Sequence, residues 1–155
     1  MREILFRGKT SDEKWICGHL LEQNIPVCHS YIVMSIIAEL DNRHIEIMDF
    51  DINEVIPETV GQYTGLTDKN GVKIFEGDIV KCTDTINDFE FNAVVEFGNP
   101  NGEYNWGYQL KFISGEDSNF DILCWVDMEE TGAYIEIIGN IHDNPELLKV
   151  GDNNE

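Results

Sequence analysis

The stretch that most constrains this fold is residues 59–81, TVGQYTGLTDKNGVKIFEGDIVK. Its apolar runs are short, and turn residues bound each of them. Residues 60–66 read as a strand broken by Gly61 and Gly65. Asp68-Lys69-Asn70-Gly71 then turns the chain, and Asn70-Gly71 can supply the positive φ angles of a tight hairpin. A second apolar run covers 72–75, and the loop Glu76-Gly77-Asp78 opens a third strand at Ile79. The glycines at 61, 65, 71 and 77 are expected to serve backbone geometry.

This wording resembles the signature phrase of the YopX family of phage and prophage proteins. The two ends are similar to that family as well: MREILFRGK at residues 1–9, and IGNIHDNPELL at 138–148. The resemblance rests on Gly61, Gln62, Tyr63, Thr64, Gly65, Asp68, Asn70, Gly71, Glu76, Gly77, Asp78, Gly139, Asn140, Asn144 and Pro145, which it marks as structural or interface positions. The family has no settled biochemical role. The resemblance therefore implies a fold and an origin, but no reaction.

The rest of the chain is punctuated in the same way. Residues 3–7 and 14–21 form an expected hairpin around the polar turn 8–13, with Trp15, Cys17 and His19 on one side of the second strand and Ile16, Gly18 and Leu20 on the other. Residues 30–40 fit two templates. Val33, Ile36, Ile37 and Leu40 suit a helix capped by Ser30, while Tyr31-Ile32-Val33 suits a strand. Residues 44–52 read as a strand whose apolar register switches at Met48, Phe50 and Ile52, as at a bulge.

Five further strands are expected at 79–83, 91–97, 104–113, 120–126 and 134–141. In the third, Tyr104, Trp106, Tyr108, Leu110 and Phe112 share a face. That row reads as core in preference to an aromatic peptide groove; Trp15 and Trp125 carry the same two readings. Asn144-Pro145-Glu146 supplies a cap, a proline at the first helical position and one terminal turn.

Short strands with tight turns match a small antiparallel barrel. The phrase Glu76-Gly77-Asp78-Ile79-Val80 is similar to the opening of many SH3-like barrels, and the family resemblance implies the same fold. The expected architecture is mainly β: an N-terminal β-rich or α+β lobe at 1–56, an SH3-like barrel at 57–150, and a disordered tail at 151–155.

Charge narrows the partners. Thirty acidic residues face ten basic ones, a net charge of −20. The excess is spread along the chain, with 14 acidic and 7 basic residues in 1–80 and 16 and 3 in 81–155. Such a surface repels phosphate backbones and anionic membranes, so direct nucleic-acid binding is not expected. No apolar run approaches the ~20 residues that span a bilayer, and no export signal is apparent. The expectation is a protein of the host cytoplasm whose cysteines, Cys17, Cys28, Cys82 and Cys124, are buried free thiols.

Sites for chemistry are sparse. Cys17, His19, Cys28 and His29 lie within 13 residues, but they lack the Cys-x₂₋₄-Cys turn that converges two thiolates on zinc. Asp49-x-Asp51-x-Asn53 imitates the start of a calcium loop. Glu54 stands where glycine is required and Val60 where the bidentate glutamate is required, so the motif fails. His142-Asp143 sits at a turn, and neighbours on an extended chain point apart. No nucleophile elbow, Walker loop, dinucleotide fingerprint or zincin helix is written in the sequence. We expect no cofactor, no metal and no catalytic residues. Three functions of different class remain: an interaction or assembly module that forms homo-oligomers or binds host or phage proteins, an acidic nucleic-acid mimic that blocks a host DNA-binding protein, and, less favoured, an enzyme whose site shows no local motif.

Overall fold

The computed structural model describes residues 3–24, 28–41, 44–99, 106–113, 119–126 and 132–149, and within them every side chain except those of residues 24, 28, 35–41, 44–50, 119, 124 and 126. The chain is mainly β. Its elements in order are β1 (Phe6–Lys9), β2 (Trp15–Asn24), β3 (Cys28–Asp41), β4 (His44–Val55), a 3₁₀ turn (Pro57–Thr59), β5 (Gly61–Thr67), β6 (Lys73–Phe75), β7 (Asp78–Asp84), β8 (Phe89–Gly98), β9 (Gly107–Phe112), β10 (Asn119–Asp121), α1 (Ile122–Val126), β11 (Ala133–Asn140) and a second 3₁₀ turn (Pro145–Leu148). They form two antiparallel sheets, ordered β4-β3-β2-β1-β5-β6 and β10-β9-β8-β7-β11. Among the described residues neither sheet closes on itself, so the expected closed five-stranded cylinder is replaced by open sheets. The chain divides into two compact units, Met1–Tyr63 and Thr64–Glu155.

In the first unit, the β1–β2 hairpin forms as its alternating pattern requires, with Phe6 opposite Gly18 and Lys9 opposite Trp15. β2 changes partner along its length: residues 15–18 pair with β1, and His19 onward pairs with β3. Gly18 sits at this changeover, where a Cβ would run into the Val33 carbonyl oxygen. Residues 30–40 are strand, not helix. Their β-branched start lies between β2 and β4, with Ile32 fully buried, and the ladder decides where propensity was divided. The β3–β4 register jumps from Ile37↔Asp49 to Ala38↔Ile47, leaving Met48 as the extra residue, so the expected bulge is there. Cys17 is exposed, not buried, on the surface of β2 that also carries exposed His19.

In the second unit, β7, β8, β9 and β11 turn one face inward. Val80, Cys82, Ala93, Val95, Leu110 and Ile135 are almost fully buried there, and Ile74, Tyr108, Ile122, Trp125 and Ala133 complete the cluster. Burial pushes the Cys82 thiol up to about 12, which makes it an inert core thiol. The opposite face buries the cross-strand pair Ile79 and Val94 and otherwise carries polar side chains. Lys81 pairs with Glu90 at 2.8 Å and Lys111 with Glu96 at 3.2 Å.

Two expectations fail in this unit. Residues 120–126 are not one strand: β10 stops at Asp121, whose carboxylate accepts the Leu123 N–H at 2.8 Å and starts α1. The aromatic row is also divided. Tyr108 and Leu110 are core and Phe112 packs against it, but Trp106 precedes β9 and is 75% exposed. Tyr104 lies outside the described residues, as does the 151–155 tail.

Candidate functional site

The turn Asp68-Lys69-Asn70-Gly71 is built around one carboxylate. Asp68 is buried, and its Oδ1 accepts the N–H groups of Asn70 at 2.8 Å and Val72 at 2.9 Å. Its Oδ2 accepts the Ile137 N–H of β11 at 3.3 Å and the Asn70 side-chain amide at 3.4 Å. Burial alone would raise this carboxyl. The backbone donors Val72, Asn70 and Ile137, with the Asn70 amide, outweigh burial and hold it below the ordinary range. The Gly71 N–H closes the turn on the Asp68 carbonyl at 2.9 Å, with Gly71 at φ 80. Asn70 does not take a positive φ: this is a three-residue loop that needs one left-handed position, not two.

Lys69 continues the attachment to β11. Its N–H donates to the Ile135 carbonyl at 2.9 Å, and its ammonium lies 2.7 Å from Glu136 and 4.6 Å from the Tyr134 ring centre. The Glu136 hydrogen bond raises the lysine's pKa. Beside this turn is a cleft of 280 Å³ lined by Thr67, Asp68, Lys69, Trp125, Ala133, Tyr134 and Ile135.

Trp125 forms one wall, and its indole N–H donates to the Tyr134 carbonyl at 3.2 Å. The same indole meets Phe91 edge-on at 5.1 Å between centroids. Phe91 lies 4.2 Å from Phe112 and 5.6 Å from Phe89, and Phe112 lies 5.4 Å from Phe120. The rings thus run without a break from the cleft wall to the surface, where Phe89 is 47% and Phe120 44% exposed.

The other motif residues hold backbone. Gly61 and Gln62 pair with Arg7 and Phe6, and the Tyr63 N–H reaches the Leu5 carbonyl at 2.8 Å. Buried Thr64 donates its hydroxyl to the Ile74 carbonyl at 2.9 Å. Gly65 and Gly77 have φ 91 and 82. Gly77 follows Glu76, and its N–H binds the Val95 carbonyl at 2.9 Å. Asp78, 1% exposed, accepts the Phe75 N–H at 2.7 Å and stands opposite Asn140 in the β7–β11 ladder.

At the far end of β11 the Asn140 side chain accepts the N–H groups of His142 and Asp143 at 3.0 and 2.9 Å. Asn144 precedes Pro145 but does not cap that turn. Its oxygen accepts the Asn140 N–H at 3.3 Å, against Gly139, where a Cβ would not fit.

The family model YopX protein matches residues 5–149. The chain belongs to the YopX family. Its fold also resembles the crystal structure of protein EF1440 from Enterococcus faecalis, with a TM-score of 0.57 and 24% identity over 96% of this chain and 100% of that one. At that identity the likeness concerns the fold alone. No curated protein matches the chain.

The YopX phrase therefore gathers Asp68, Asn70 and Gly71 beside the cleft, while Gly61, Gln62 and Tyr63 attach to β1 and Glu76, Gly77 and Asp78 lie at the start of β7. The four residues weighed as zinc ligands do not gather. The register places His29 opposite Gln23, six residues along β2 from Cys17 and so ~20 Å away. His29 is instead 2.6 Å from Glu54. Asp49, Asp51 and Asn53 lie within extended β4 and form no loop. Among the described residues no group of three metal-ligating side chains comes together. Sequence reasoning missed the run Phe89, Phe91, Phe112, Phe120 and Trp125. The signal was available in Phe89 and Phe91, two places apart on β8 and hence on one face.

Proposed function

We propose that this YopX-family chain is a non-enzymatic interaction module of phage or prophage origin that assembles with copies of itself through the aromatic face of its second unit. The observation that carries this reading is the continuous ring cluster ending in exposed Phe89 and Phe120. Contiguous exposed apolar surface marks an interaction site. A two-fold contact sets such a patch against itself and needs no basic residues on either side. The cleft supports the non-enzymatic part. Its carboxylate is held below, and its ammonium above, their ordinary pKa values, whereas a general acid or base is tuned toward neutrality.

Sedimentation of the full chain tests the reading. The wild type should associate, more tightly as salt screens like-charged copies, and Phe89→Ser with Phe120→Ser should yield a folded monomer. A wild type that stays monomeric at every salt concentration rejects it. A second reading, the acidic nucleic-acid mimic, draws on the charge of residues 64–155, where 19 acidic residues face 5 basic ones. It expects the opposite salt dependence: capture of a basic DNA-binding protein that weakens steeply as salt rises.

A further inference from the structure

The outer half of the β3–β4 hairpin carries an inference that does not depend on the aromatic face. The β2–β3 ladder ends at His19↔Val33, whereas the β3–β4 ladder continues to Asp41↔His44. Beyond Val33, among the described residues, β3 has β4 as its one strand neighbour, and β4 is the edge of its sheet over all 12 of its residues. A two-stranded ribbon is marginal in water by itself. This one is apolar in sequence at eight of the 17 positions from 35 to 51. An edge strand of this length presents a row of backbone donors and acceptors on which another strand can form.

The charges along that edge decide which strand. β4 carries Glu46, Asp49, Asp51 and Glu54, and it has no lysine or arginine. Two-fold antiparallel pairing of β4 with a second β4 about its middle residues sets Asp49 opposite Asp49, or Asp49 opposite Asp51 and Glu46 opposite Glu54. Like charges directly opposite destabilise a pair, while opposite charges stabilise it. The edge is therefore built against its own copy and complementary to a basic strand, so selection comes from repulsion as well as attraction.

We propose that the edge of β4 is a strand-addition site for an extended segment of a different protein that carries Lys or Arg at alternate positions. Backbone hydrogen bonds supply the affinity and the acidic positions supply the choice, as in other modes of β-augmentation. This goes beyond the self-assembly reading and survives its failure, because it concerns another unit and another partner.

Amide hydrogen exchange on the intact chain tests it, with an acetylated octapeptide of alternating Val and Lys as the probe and alternating Val and Glu as the control. The lysine peptide should slow exchange at residues 44–55, and the glutamate peptide should not. The triple variant Glu46→Lys, Asp49→Lys, Asp51→Lys should bind the lysine peptide on the order of tenfold more weakly, three opposite-charge pairs being lost. It should gain the glutamate peptide instead. The idea is overturned by protection outside 44–55, by equal response to both peptides, or by protection at 44–55 that rises with protein concentration alone.

Discussion

In residues 1–63 the buried apolar side chains described are Ile32, Val33, Val55 and Tyr63, whereas in 64–155 eleven buried residues form one cluster. Among its described residues the first unit is held by ladders and by close approach of backbone. Thr59 shows how: its hydroxyl donates to the Ile56 carbonyl at 2.7 Å and accepts the Lys9 N–H at 2.8 Å, tying the 3₁₀ turn to β1. The second unit relies on a packed face, with its turns locked by buried or half-buried polar side chains. The difference teaches where each will break. A ladder-built unit is sensitive to anything that separates strands, and a core-built unit to lost volume.

Truncation of the core should have the largest effect. Leu110 is fully buried, so Leu110→Ala is expected to cost roughly 2–5 kcal/mol by transfer and cavity terms together. Leu21, on β2, is 49% exposed, and Leu21→Ala should cost less than about 1 kcal/mol. Urea melts measure both. Hydrogen exchange sharpens the comparison: Leu110→Ala should expose amides of β7, β8 and β9 before those of β1 and β2. Simultaneous loss in both units would merge them into one cooperative body.

The first unit should answer to a methyl group instead. Gly18→Ala places a Cβ against the Val33 carbonyl oxygen. Backbone cannot move aside as a flexible side chain can, so a cost of about 3 kcal/mol is expected. The loss should appear as faster exchange in 19–24 and 28–33, where β2 and β3 pair. A near-neutral Gly18→Ala would show that this ladder is looser than the second unit's core.

Much of the strand layout was legible in the sequence, though the contrast between the units was not, and the exceptions have physical causes. Alternation and turn residues located β2, β7, β8 and β11, and the register switch located the Met48 bulge, because a one-residue slip moves every side chain to the other face. Residues 120–126 misled because Phe, Ile, Trp and Val favour strands. Yet Ile122 and Trp125 are both buried while Leu123 is exposed, a spacing that fits a helical turn, and the Asp121 carboxylate begins that turn. Trp106 misled because period-2 reasoning assumes that the strand reaches its residue, and β9 begins one residue later. For the site, the family phrase pointed to Asp68, Asn70 and Gly71. It could not point to Trp125 or Phe120, since their convergence depends on contacts between elements far apart in the chain.

Asp68 gives the next effect in size. Asp68→Ala removes an acceptor from three backbone N–H groups, and about 2–3 kcal/mol should be lost from the second unit. The pH dependence follows from the lowered pKa. A carboxylate held below its unfolded value of ~3.9 stabilises the fold fully above that pH, and the contribution disappears as pH falls through the folded value. The wild type's advantage over Asp68→Ala should thus be level from about pH 5 to 8 and shrink in more acid solution. An advantage that persists unchanged in acid would mean that the turn is held by something other than the ionised carboxylate.

The smallest effect separates two explanations of the β11 terminus. At Gly139 the register of β11 against β7 shifts, and a Cβ would lie 2.5 Å from Asn144 Oδ1 and 2.9 Å from its Cγ. Gly139→Ala should cost about 1–2 kcal/mol through that crowding. Asn144→Ala should cost about 1 kcal/mol through the lost bond to the Asn140 N–H. If the Asn144 side chain is what excludes a larger residue at 139, the double variant loses less than the sum, by about 0.5–1 kcal/mol, since the atoms in conflict are gone. Strict additivity would instead place the constraint in the backbone. The second unit's edge would then be governed by the same close approach that governs the first, and the distinction between ladder and core would fail there.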